Sequence, residues 1–109
     1  MTPEEKLAEL EITLPQAPAA VANYVPWIQT GQLIMTSGQL PWVDGEIQYA
    51  GKCGQDLSVE EGYEAARLCA INAIAQLQAA TGDLSKITKI VRLEGNVHSS
   101  LGFQGQPQV

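Results

Sequence analysis

The sequence predicts an α+β domain, a mainly antiparallel sheet with one long helix packed across a face. Three observations predict it. Residues 58–81, "SVEEGYEAARLCAINAIAQLQAAT", repeat apolar side chains at helical spacing behind a capping signal. Residues 33–37, "LIMTS", form a short apolar run, and an Asp44-Gly45 pair favoured in tight hairpins follows soon after. Residues 87–97, "ITKIVRLEGNV", alternate in polarity.

The elements follow in order. Thr2-Pro3-Glu4-Glu5 starts a short helix: a threonine cap, proline in the first turn, then acids at the positive end of the helix dipole. Leu7 and Leu10 form its apolar face. Pro15 and Pro18 then forbid regular structure through "LPQAPAA". Val21 to Ile28 reads as an extended segment, with Pro26 placing it at an edge or a bulge. Gly31-Gln32 is a turn into the strand Leu33–Ser37, where Leu33, Met35 and Ser37 share one face and Ile34 and Thr36 the other. Both faces are mostly apolar, so one meets a helix and the other a second sheet or a second subunit. Trp42–Val43 pairs with Ile47–Tyr49 across Asp44-Gly45. "AGKCGQDLS" is a loop.

Ser58 and Glu61 make a capping box for the long helix, and Gly82 stops it. Its buried stripe reads Tyr63, Ala66, Ala70, Ala73, Ile74 and Leu77, while Glu60, Glu64, Arg67, Gln76 and Gln78 fall mostly on the polar side. In the strand expected over Ile87–Val97, Val91, Leu93 and Val97 face the core; Thr88, Arg92, Glu94 and Asn96 face away. The tail "HSSLGFQGQPQV" has no periodicity.

With 109 residues the chain fits a single domain, 1–109, and 45% hydrophobic against 17% charged residues is ordinary for a globular protein. Twelve acidic and six basic side chains give a net charge of −6, which opposes nucleic-acid and anionic-membrane partners. The acidic N-terminus "MTPEEKLAELEI" has no signal-peptide run, so a cytoplasmic location is expected. Cys53 and Cys69 lie apart without histidine partners, and neither a disulfide nor a metal site is expected. Cys69 reads as a small core residue, His98 as a surface residue, and Trp27 and Trp42 as packing anchors. The run Glu60, Glu61, Glu64 reads as a solvated helix start.

One stretch stands out. "GQLIMTSGQLP", preceded by Tyr24 in "ANYVPWIQT", resembles the signature of the Rid family of reactive-intermediate deaminases, also called YjgF-type or RidA-like proteins. The helix "GYEAARLCAINAIAQLQAATGDL" resembles the family's central helix, with Asn72 at its asparagine; "ITKIVRLEGNV" and Phe103 resemble its next strand and following aromatic. The resemblance runs over about residues 18 to 105. It implies a chorismate-mutase-like fold, a homotrimer with ligand clefts between subunits, and hydrolysis of small 2-enamino and 2-imino acids such as 2-aminoacrylate without a cofactor.

It also implies that Tyr24, Ser37, Gly38 and Gln39 line the substrate site. Without it, Ser37-Gly38-Gln39 reads as a plain strand-ending turn and Tyr24 as a half-buried aromatic. The family's carboxylate-binding arginine lies in a later strand, and Arg67 and Arg92 do not match it. The chain therefore reads as the front two-thirds of a Rid unit, without the second helix and last strands. A non-catalytic small-metabolite-binding or assembly module is the alternative.

Overall fold

Both helices start where the sequence implies, and the threonine cap of the first proves to be a full capping box. In the computed structural model, which describes residues 1–20 and 22–109, Thr2 caps helix α1 (Pro3–Glu9): its hydroxyl accepts the Glu5 N–H, and the Glu5 carboxylate accepts the Thr2 N–H. Ser58 and Glu61 repeat the device at the start of α2 (Val59–Thr81). Such reciprocal caps satisfy two of the donors a helix start leaves free. At the other end Gly82 takes a left-handed conformation, φ 73°, that a side chain would disfavour. Lys86 Nζ adds a bond to the Thr81 carbonyl, at the negative end of the helix dipole.

Two short antiparallel ladders lie against α2. Strand β1 (Trp27–Thr30) pairs with β2 (Leu33–Thr36), with Ile28 opposite Met35 and Thr30 opposite Leu33. Strand β3 (Trp42–Val43) pairs with β4 (Glu46–Ile47) around Asp44 and Gly45, whose φ values of 51° and 80° are those of a two-residue hairpin turn. This second ladder stops short of the expected Tyr49. The extended segment expected from Val21 begins at a residue outside those described; Tyr24 and Val25 precede β1 without joining it.

The side chains of β1–β2 divide by parity. Trp27, Ile34 and Thr36 are half-buried towards α2, whereas Ile28, Leu33 and Met35 are exposed, Ile28 by 54% and Met35 by 52%. An outer apolar face therefore has no cover among the described residues. The accessible surface is 7913 Å², whereas a folded monomer of 11.7 kDa would expose roughly 5,900 Å². The radius of gyration, 14.9 Å, likewise exceeds the roughly 13 Å expected at this length.

Two sequence expectations are corrected. Among the described residues, Thr88 to Val97 make no backbone hydrogen bond and belong to no strand; Val91 and Leu93 are 73% and 86% exposed rather than turned to a core. Alternation specifies a strand only where a neighbour supplies the other half of the ladder, and none of the described residues pairs with this segment. The second correction concerns α2. Tyr63, Ala66 and Ala70 are exposed, and the helix instead buries Gly62, Asn72, Ala75 and Gln76. The carbonyls of Pro18, Leu40 and Trp42 in the chain packed there require donors that an alanine stripe cannot supply.

A second small cluster forms at the start of α2. Cys53 is buried, its N–H donating to the His98 carbonyl and its carbonyl accepting the Ser100 N–H, both at 2.9 Å. Phe103, Val59 and Val109 close around the glycines of this region. Both cysteines are free thiols.

Candidate functional site

Strand β2 ends where its last partner on β1 runs out, and Ser37 is the first residue beyond it. Its N–H and its hydroxyl both donate to the Pro26 carbonyl, at 2.9 and 3.2 Å. The serine proton is thereby committed, leaving the oxygen's lone pairs to accept from another group. Gln39 folds back, its Nε2 donating to the Ser37 carbonyl at 3.0 Å. Gly38 is exposed, and a side chain built there would meet nothing within 4 Å. Among the described residues neither the Gly38 nor the Gln39 N–H finds an acceptor. An unpaired backbone amide beside a hydroxyl can donate to an anionic or carbonyl oxygen.

Tyr24 is half-exposed, and its N–H donates to the Ala22 carbonyl at 2.9 Å. It lies two residues before Pro26, whose carbonyl Ser37 is bonded to, so its backbone is within roughly 7 Å of Pro26. Ser37, Gly38 and Gln39 form one corner of the molecule, and Tyr24 is joined to it through Pro26. They line neither of two surface depressions: one sits at the start of α2 beside Tyr63 and Gln108, the other under α1 beside Leu7 and Ile12.

The corner is held from below by α2. Asn72, 2% exposed, uses both protons of its amide: Nδ2 donates to the Leu40 carbonyl at 2.9 Å and to the Trp42 carbonyl at 3.2 Å. One turn on, Gln76, also 2% exposed, donates to the Pro18 carbonyl at 2.7 Å. Positions four apart on a helix face the same way, so both amides address the irregular chain on either side of β1–β2. Helical periodicity alone puts Gln76 on the polar side; the signal that could have found it is a carboxamide pair, Asn72 and Gln76, within an alanine-rich face.

The remaining reactive side chains are quiet. Burial pushes the Cys69 thiol up, outweighing a backbone hydrogen bond that favours its ionised form. His98 is exposed. No cluster of metal-ligating side chains occurs among the described residues, and no helix there is long and apolar enough to cross a membrane.

Comparison with known proteins adds what the geometry cannot. The family described as "YjgF/chorismate mutase-like, putative endoribonuclease" matches residues 4–106. A crystal structure from Shewanella oneidensis MR-1, described as a "putative endoribonuclease", superposes with a TM-score of 0.95 at 44% identity, covering 99% of this chain and 72% of its own. The Agrobacterium tumefaciens protein Atu1372, of unknown function, gives 0.86 at 45% identity, covering 96% of this chain and 64% of its own. Protein TCP17 of Trypanosoma cruzi is 42% identical over 103 residues, and the chain spans 64% of its length. With the match extending over nearly every residue, the chain belongs to the YjgF/chorismate-mutase-like family.

Proposed function

We propose that this protein hydrolyses small, reactive 2-imino and 2-enamino acids to 2-oxo acids and ammonia, in a cleft completed by a second copy of the chain within a homotrimer. The observation that carries the reading is the open corner of Ser37, Gly38 and Gln39, with two unpaired N–H groups beside an oriented hydroxyl. The amides donate to the substrate carboxylate, and Ser37 Oγ accepts from the substrate nitrogen or its attacking water. Water adds to the imine carbon, the carbon–nitrogen bond breaks, and nitrogen leaves as ammonia. Tyr24 supplies a wall and a phenol. Holding carboxylate, imine and water in register contributes to the rate by positioning, with no cofactor. The exposed Ile28, Leu33 and Met35 support an assembly that brings a neighbour close to this corner.

Free ammonia released from freshly generated 2-iminopropionate tests the reading, with the mass in solution by light scattering alongside. Release above the buffer rate from a species of three chains is expected. Ammonia at the buffer rate refutes turnover.

A second reading has its own support: Tyr24, Ser37, Gly38 and Gln39 include no carboxylate, imidazole or amine to act as general base. On that reading the protein is a non-catalytic small-metabolite-binding or assembly module, and a 2-oxo acid raises its melting temperature without turnover. RNA cleavage, the description carried by the Shewanella protein, is opposed here by a net charge of −6 and a single histidine.

A further inference from the structure

We infer that Asn72 is a positioning residue for the corner: its side-chain amide, fixed inside the molecule, sets where the Gly38 and Gln39 N–H groups sit. The inference rests on the reading of that corner as the ligand site. The chain from Ser37 to Trp42 is held at two points. At one end Ser37 N–H and Oγ grip the Pro26 carbonyl. At the other, Asn72 grips Leu40 and Trp42, the residues on either side of Pro41.

Between these anchors hang Gly38 and Gln39, tied among the described residues only by the Gln39 side chain to the Ser37 carbonyl. The Leu40 carbonyl also accepts the Trp42 N–H at 2.8 Å, closing a three-residue turn over Pro41. Losing Asn72 therefore leaves the Leu40 carbonyl one partner but takes from the Trp42 carbonyl its side-chain donor, and the turn loses its attachment to α2. A displacement of about 1 Å in groups that orient a substrate costs on the order of 100-fold in rate.

Gln76 provides the matched comparison. It is buried to the same degree on the same helix, yet its amide reaches Pro18 rather than the corner. Its loss should destabilise the fold without moving Gly38 or Gln39.

The test compares Asn72→Leu and Gln76→Leu by backbone amide NMR and by ammonia release from 2-iminopropionate. Asn72→Leu is expected to shift the Gly38 and Gln39 resonances, leaving those of Cys53 and Ser100 in place, and to lower kcat at least tenfold more than Gln76→Leu at matched folded fraction. Asn72→Ser, which returns one donor in a smaller side chain, restores both partway and serves if Asn72→Leu does not fold. Equal shifts at Gly38 and Gln39 in the Asn72 and Gln76 variants, or none in either, would overturn the inference. The NMR comparison still decides the role of Asn72 if the wild-type chain releases no ammonia, a result that would count against the enzymatic reading instead.

Discussion

Glycine inside a helix ordinarily invites replacement by alanine, which gains up to about 1 kcal/mol of stability. Gly62, in the first turns of α2, should do the opposite. A methyl built there would lie 2.7 Å from Cys53 Sγ and 3.2 and 3.3 Å from the two methyls of Val109. Retreat is difficult for Cys53, because its N–H and carbonyl are both bonded, to His98 and Ser100. Overpacking of this kind costs roughly 1–3 kcal/mol. Set against the gain in helix propensity, Gly62→Ala should lose about 1 kcal/mol, a fall in Tm of roughly 4–8 °C. The decisive measurement is a double-mutant cycle with Cys53→Ala, read by urea unfolding at constant m. Once the sulfur is gone, the same Gly62→Ala change should become neutral or stabilising, a reversal of sign. Stabilisation by Gly62→Ala in the wild-type background, or equal effects in both backgrounds, would refute the packing argument.

Glu4 caps a turn far along the chain, its carboxylate accepting the buried Leu84 N–H at 2.8 Å and the Ser85 hydroxyl at 3.3 Å; Glu4→Ala should cost about 1–3 kcal/mol through the stranded amide and speed hydrogen exchange at Leu84. The Ser85 N–H, donating at 2.9 Å, holds the exposed Asp83 carboxyl below the usual carboxylate range. Because the folded value lies below the unfolded one, the stabilisation is complete above the ordinary aspartate pKa and lost as pH falls through the depressed value; Asp83→Ala should flatten the acid limb of the urea midpoint against pH, leaving the neutral region unchanged apart from a constant offset. Met35→Glu, on the exposed face of β1–β2, should move the proposed homotrimer towards a single chain in light scattering while keeping its far-UV circular dichroism; an unchanged mass would exclude that face from the contact.

Much of the fold is legible because local chemistry decides it. The Thr2 cap, the Ser58–Glu61 capping box, the Gly82 stop and the Asp44-Gly45 turn depend on residues within four positions of one another, and each forms as the sequence implies. What depends on distant chain is harder to read. Residues 87–97 carry the alternation of a strand, but a strand is a property of two segments, and alternation cannot reveal whether the other is present. The inner face of α2 escapes helical periodicity for a related reason: Gln76 is buried because the carbonyl of Pro18, 58 positions away, needs a donor. The corner of Ser37, Gly38 and Gln39 can be located from its motif; the bonds of Asn72 to Leu40 and Trp42, 32 and 30 positions away, cannot.

The bare stretch from Thr88 to Val97 has a consequence for the lifetime of the protein. Lys89 and Arg92 are exposed within backbone that makes no bond among the described residues. Trypsin-like enzymes cut after such side chains, and cleavage proceeds fastest where no local opening is needed first. Whatever polypeptide settles over this stretch therefore governs how long a copy survives degradation.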